Sequence, residues 1–232
     1  MAITITNKAS VFSGTNLSSY VTGSWTPTTG RLAVCCVTSQ ISGTTNVPTV
    51  SGNGLTWTKV LDYQDDTVST TSRITIFVAL TAGGSAGAVT ADFAGQTQAG
   101  GSVIVDEVDG ADVSGTALAA IIQSKAGSVD ASGTSESISL TSAITAGNAS
   151  YGCFHHQAQE TTTQGSGYTQ LGVGSHAGPS DGFMSEYESA GAQTVDASWT
   201  TSVGKGGMAI EIKSAGGAAA SNMHRLALLG VG

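Results

Sequence analysis

The residues of this chain that could do chemistry fall in a few places. Gly83-Gly84-Ser85-Ala86-Gly87 fits G-x-S-x-G, the sharp turn that presents a nucleophilic serine between a strand and a helix. Both flanking segments read as strands here, and no downstream Asp and His are spaced to complete a triad. The turn therefore reads as a hairpin connection. His155-His156 with Glu160, His176, Asp181 and Glu186 is the richest polar cluster. Adjacent side chains on a strand point to opposite faces, so the two histidines do not chelate one ion unless a bulge intervenes. A structural zinc site takes three or four N/S ligands with supporting hydrogen bonds, and the cluster reads instead as polar loop residues at a rim. The acidic stretch Asp106-Glu107-Val108-Asp109-Gly110-Ala111-Asp112 offers oxygen ligands without the calcium-loop pattern that ends in a bidentate Glu. It reads as a solvated strand end with Asp106 and Asp112 facing different ways, and Asp65-Asp66 as an exposed loop. These patterns give no catalytic residue, no metal ligand set and no cofactor.

Cys35 and Cys36 lie on opposite faces of a strand and do not pair with each other; one of them could reach Cys153. They read as small buried hydrophobes of a protein made in a reducing cytoplasm. Trp25, Trp57 and Trp199 raise the question of a sugar-stacking platform. Trp57 and Trp199 sit among apolar strand neighbours, as core residues do. Trp25, two residues before Pro27, is the best candidate for exposure, joined by Tyr20 and Tyr168 outside the strands. These three are the expected surface contacts for any host-surface glycan.

The surrounding chain is built for strands. Of its 232 residues 32 are Gly and 3 are Pro, and 40% are hydrophobic, enough to exclude disorder. Charged residues are only 10%, which leaves Ser, Thr, Ala and Gly to alternate with the apolar positions. A net charge of −8 with eight scattered basic residues excludes nucleic-acid binding and an acidic membrane surface as partners. No apolar run approaches the ~20 residues of a membrane span, and Met1–Thr6 starts as a strand rather than a secretory leader.

Alternation marks strands at Ala2–Thr6, Arg31–Thr38, Leu55–Tyr63, Arg73–Leu80, Ala88–Phe93, Ser102–Val108, Ser135–Leu140, Ala149–His155, Phe183–Ser189, Thr194–Trp199 and Met208–Lys213. Arg31–Thr38 is apolar almost throughout, as in a central strand. Leu55, Trp57, Lys59, Leu61 and Tyr63 should share a face. Thr116–Ile122 is the one short helix candidate, and no repeat of fixed period stands out. The expected fold is all-β, an antiparallel two-sheet sandwich of jelly-roll type with a C-terminal extended arm. Residues 1–30 form an N-terminal strand and loop, 31–213 the sandwich, and 214–232 a Gly/Ala linker and apolar arm. Leu32, Val34, Trp57, Ile74, Ile76, Val78, Ile104, Ile210 and Ile212 should be buried. In the arm, Met223, Leu226, Leu228, Leu229 and Val231 either dock on a neighbouring subunit or pack on their own domain.

Gly54-Leu55-Thr56-Trp57-Thr58-Lys59-Val60, Arg73–Ala79, Val103–Ser114, Tyr187-Glu188-Ser189-Ala190-Gly191 and Ile210-Glu211-Ile212-Lys213 follow one another in an order that resembles a sandwich domain of bacteriophage virion proteins and some bacterial surface proteins. The resemblance runs from Gly54 to about Lys213. It implies a non-enzymatic virion structural protein, made in the host bacterial cytoplasm, homo-oligomeric and attached to a major capsid protein or to tail proteins. Capsid decoration or a head fibre comes first; a tail or baseplate component and a carbohydrate-binding or adhesion module are the alternatives.

Overall fold

The computed structural model describes residues 2–65, 71–127 and 132–216. Apolar residues alternating with Ser and Thr, with Gly at the breaks, form strands in two runs of eight. The first run is β1 (Thr4–Ser13), β2 (Ser19–Val21), β3 (Leu32–Ile41), β4 (Thr49–Gly52), β5 (Thr58–Asp65), β6 (Thr71–Leu80), β7 (Val89–Asp92) and β8 (Gly100–Asp109). A 3₁₀ turn at Ala117–Ala120, capped by Thr116, separates it from the second. That run is β9 (Ile121–Ala126), β10 (Gly133–Ser139), β11 (Ala149–His156), β12 (Thr163–Gln164), β13 (Thr169–His176), β14 (Asp181–Glu188), β15 (Thr194–Val203) and β16 (Lys205–Ile212).

The first run pairs in the orders β1-β8-β3-β6-β5 and β2-β7-β4, the second in the orders β9-β16-β11-β14-β13 and β10-β15-β12. All pairings are antiparallel. Strand for strand the second pattern repeats the first, so the all-β sandwich is two jelly rolls of one topology in tandem. The span 31–213 read as a sandwich takes in both rolls apart from β1 and β2. Facing pairs Leu32–Val108 and Ala149–Ile212 fix the correspondence between them. Counting from these pairs sets Thr28 with Thr145, Arg31 with Asn148, Cys36 with Cys153 and Glu107 with Glu211.

The correspondence reaches fine detail. β5 carries a bulge between Lys59 and Leu61, and β13 carries one at the matching place between Gln170 and Val173. A bulge turns the following side chains to the other face. Leu55 and Trp57 therefore pack on the outer side of their sheet, while Leu61 and Tyr63 enter the central core. The single face expected for these residues is thus divided, and Trp57 is partly rather than fully buried. Ahead of β3 and β11, Gly30 and Gly147 both take positive φ, at 82° and 90°. Beside each of those turns a buried glutamate gathers the loop. Glu107 accepts from the Thr28 N–H (2.7 Å) and Arg31 (2.9 Å), and Glu211 from the Thr145 N–H (2.9 Å) and Asn148 (2.6 Å). These bonds hold both carboxyls below their ordinary pKa despite burial.

The sheets stack in four layers of three, five, five and three strands. The five-stranded sheets face each other, with β1 packed on β13 and β5 on β9. These two contacts exchange when the rolls are exchanged, so the rolls are related by an approximate two-fold axis. One central core draws on both rolls, including Leu32, Val34, Ile76, Ile104, Tyr151 and Ile210. Each roll also has an outer core under its three-stranded sheet, built around Phe77 and Phe93 in the first and Phe154 and Val195 in the second. Among the described residues no helix is long and apolar enough to cross a membrane.

Strands beyond the expected set have local causes. β2, β4 and β12 are too short to show alternation. β9 begins where the helix candidate was expected to continue, because the 3₁₀ turn stops at Ala120. β13 is interrupted in sequence by Gly172 and Gly174, where a Cβ would come within 2.6 Å of Ile104 and 2.5 Å of Phe12. Glycine there lets the backbone of the second roll lie directly on side chains of the first.

Ile76 is fully buried in the central core. Ile76→Ala should lower the unfolding free energy by about 2–5 kcal/mol in denaturant titration; a cost near zero would contradict its placement.

Candidate functional site

A fully buried polar group lies between the rolls. Asp106 on β8 points from the first roll into the second. Its Oδ2 accepts hydrogen bonds from the Tyr151 hydroxyl and the Ser185 hydroxyl, each 2.7 Å, and its Oδ1 accepts from Asn7 Nδ2 at 2.9 Å. Cys36 Sγ lies 3.1 Å from the same Tyr151 oxygen. Pairing register sets Asp106 opposite Val34 on β3, and Val34 matches Tyr151 in the second roll. The polar group is thus a local break in the two-fold relation: where one roll is apolar, the other supplies donors. Burial pushes the Asp106 carboxyl up, against the three hydrogen bonds, and pushes the Cys36 thiol and Tyr151 phenol well up. A thiol held protonated away from solvent is a packing group rather than a nucleophile. Cys35, on the opposite face, belongs to the outer core.

The expectation of a solvated acidic strand end is corrected here: Asp106 and Glu107 are both fully buried. The regular alternation Val103–Val108 continues through them because each carboxylate finds donors on its own side of the sheet. Asp112 does lie apart, bonded to Lys213 at 2.7 Å. Asp65 ends β5, and Asp66 falls outside the described residues.

Of the histidine cluster, His155, His156, His176, Asp181 and Glu186 occupy strands rather than a loop rim, and Glu160 lies in the connection between β11 and β12. His155 Nδ1 lies 3.3 Å from Asp181 Oδ1, to which Gln40 Nε2 also donates at 3.0 Å. His176 Nε2 lies 3.8 Å from the other Asp181 oxygen. All four side chains are buried, and Asp181 ties β3 of one roll to β11 and β13 of the other. His156 faces away, stacked on Trp199 with ring centroids 4.7 Å apart and 3.0 Å from Thr162 Oγ1. Burial lowers its pKa to about 4, so it is neutral at neutral pH. Glu160 accepts from the Thr201 N–H at 2.7 Å, away from the Asp181 group. Among the described residues no three His, Cys, Asp or Glu side chains are placed to hold a metal ion.

Glu186 is also buried. One oxygen accepts from the Gly165 N–H at 2.9 Å and the other has no hydrogen-bond partner. Burial, with Asp196 nearby, raises its pKa to about 8. Ser85 lies in the connection between β6 and β7, where its N–H donates to the Asn53 carbonyl at 2.8 Å.

The expected aromatic surface contacts are overturned. Tyr20 (1% exposed), Trp25 (7%) and Tyr168 (7%) are core residues. Tyr20 lies on β2 with its ring edge-on to Phe93, Trp25 bridges to Gly87, and the Tyr168 hydroxyl donates to the Thr194 carbonyl at 2.9 Å. Tyr20 sits on a strand too short to read, Trp25 in an isolated bridge, and Tyr168 in the turn just ahead of β13. Met223, Leu226, Leu228, Leu229 and Val231 lie outside the described residues.

A slot in the first roll went unread in the sequence. Between the outermost strands β4 and β5 opens an apolar cleft of about 410 Å³ lined by Val47, Pro48, Val50, Trp57, Lys59 and Phe77. Comparison with family models, curated proteins and solved structures gives no match.

Tyr151→Phe leaves the buried Asp106 short of a donor and should cost about 1–3 kcal/mol in equilibrium unfolding. Glu186 keeps its proton in the folded state up to about pH 8, whereas the unfolded chain releases it near 4.5. Stability should therefore fall as pH rises through that window, by on the order of 3–5 kcal/mol for this group, and level off above it. Glu186→Gln should be more stable than the parent at pH 8 and similar to it at pH 4; equal stability of the two at pH 8 would refute the assignment.

Proposed function

We propose that this protein is a non-enzymatic structural component of a bacteriophage virion, a capsid decoration or head-fibre protein held on a shell of major capsid protein. One observation carries the reading: apart from Ser85, Glu160 and Asp112, the side chains that offered chemistry (Asp106, Glu107, His155, His156, His176, Asp181 and Glu186) are taken up inside the fold. Asp106, Asp181 and Glu107 each bind several donors, and the first two tie one roll to the other. The result is a scaffold whose polar interior makes two rolls one body. The outer face of β15 and β10 adds exposed Ser135, Ser137, Ser139, Thr194 and Ser198 around Asp196, a small, weakly charged surface suited to close neighbours. Sequence order resembles virion sandwiches, and Met223–Val231 supplies an apolar arm behind a Gly/Ala linker. Burying each Leu or Val of such an arm contributes roughly 1.5–3 kcal/mol before ordering costs, and many copies on a symmetric shell add avidity.

Deletion of Asn222–Gly232 should leave the unfolding midpoint unchanged and abolish attachment to purified particles. Unfolding of the shortened protein, or full attachment without the segment, would contradict the reading. Gel quantification of particles should find the protein in numbers comparable to the shell subunit; a handful of copies would move it to the tail.

A further inference from the structure

The two rolls treat the gap between their fourth and fifth strands differently. In the first roll β4 and β5 leave the apolar cleft open, with Phe77 in its wall. In the second roll the matching strands are β12 and β13, and segment 161–167 lies across the gap. This segment, Thr161-Thr162-Thr163-Gln164-Gly165-Ser166-Gly167, carries no large apolar side chain, so hydrogen bonds alone fasten it. Gln170, which matches Lys59, donates to the Thr162 carbonyl at 3.0 Å, and Thr162 Oγ1 lies 3.0 Å from His156 Nε2. β12 pairs with β15 through Thr163 and Gln164 only. The Gly165 N–H donates to Glu186, which matches Phe77, at 2.9 Å. Both ends of the segment are anchored. Glu160 accepts from the Thr201 N–H, and Tyr168 is bonded to Ser150 and to the Thr194 carbonyl. Gly167, at a φ of 88°, supplies a turn beside the second anchor.

We infer that Glu186 is a proton-operated catch: its neutral carboxyl keeps segment 161–167 closed, and its carboxylate releases the segment and opens in the second roll the gap that the first roll holds open.

Glu186 is fully buried, with the Gly165 N–H as donor to one oxygen and no partner for the other. A neutral carboxyl tolerates that setting. A carboxylate does not, because a buried charge needs several donors or a counter-charge. Neither comes from the elements around it. β12 has no titratable group. β13 is preceded by Tyr168, a phenol that burial keeps neutral, and β11 ends in His156, neutral above about pH 4. β14 adds Glu188 and β15 adds Asp196, both acids. Lys205, opposite His156 on β16, is taken by Glu136. The closed segment lies flush on β15, since a Cβ at Gly165 would strike the Asp196 carbonyl. It can lift while the sheets stay packed, and water then reaches the carboxyl. Closed, Glu186 keeps its proton up to about pH 8; open and solvated, it releases the proton near 4.5. Rising pH therefore drives opening.

The test is backbone hydrogen exchange of the full chain from pH 6 to pH 9, with each rate divided by its intrinsic value at that pH. Protection of the Gly165 amide should fall about a hundredfold over this range. Small additions of urea should leave it unchanged, because local opening exposes little surface. The Cys36 amide, in the central strand β3, should lose protection as urea is added, as unfolding of the whole body requires. Glu186→Gln, which does not ionise, should protect Gly165 equally at both ends of the range. A pH-independent Gly165 amide in the parent, the same fall in the Gln variant, or exchange that follows Cys36 under urea would each overturn the inference.

Discussion

Two five-stranded sheets meet face to face, and their shared core fixes everything outside it. Ile and Val from β3, β6 and β8 interleave with Tyr151, Phe183, Met208 and Ile210 from the other roll. Such a contact is non-directional on its own, and two nearly equivalent faces could slide or exchange. Asp106 removes that freedom. Its carboxylate is fully buried, and only one alignment of the rolls brings it Tyr151 and Ser185 beside the Asn7 of its own roll. Displacement leaves a desolvated acid with Asn7 alone, which is costly. Asp181, held by Gln40 and His155, makes a second directional tie between the rolls.

From that contact outward the rolls diverge under fewer constraints. Glu107 and Glu211 keep one task, gathering the loop ahead of the central strand, though the partner changes from Arg31 to Asn148. The bulge in β5 and β13 is kept, because it sends one part of the strand into the central core and the other outward. Phe77 and Glu186 occupy one position with opposite character. The first lines an open apolar slot, while the second is a buried acid whose pKa rises through desolvation.

Strand type was legible wherever alternation ran long: β3, β6, β8, β11 and β16 sit where Arg31–Thr38, Arg73–Leu80, Ser102–Val108, Ala149–His155 and Met208–Lys213 pointed. The tandem arrangement was not, although its trace is present. Thr28-x-Gly30-Arg31 matches Thr145-x-Gly147-Asn148, Gly54-x-x-Trp57-Thr58 matches Gly165-x-x-Tyr168-Thr169, and Val89-x-Ala91-x-Phe93 matches Val195-x-Ala197-x-Trp199. Loops of unequal length move these matches out of any fixed period. Buried acids were misplaced for a related reason. A carboxylate inside a sheet looks like one on its surface until the donors that satisfy it, distant in sequence, are known. Tyr20, Trp25 and Tyr168 were read as exposed because they lie on a three-residue strand, in an isolated bridge and in the turn ahead of β13, and the groups that cover them lie elsewhere in the chain.

The account makes the two rolls one cooperative body through a shared core, and unfolding followed separately in each roll tests this most directly. Trp25 and Trp57 report on the first roll and Trp199 on the second. Trp199→Phe and the double variant Trp25→Phe with Trp57→Phe isolate the two fluorescence signals, each measured against far-ultraviolet circular dichroism of the same variant. Coincident transitions within each variant are the predicted result, as for a single two-state unit. A tryptophan signal lost while half the strand signal persists, in either variant, would show rolls that fold independently and contradict the account.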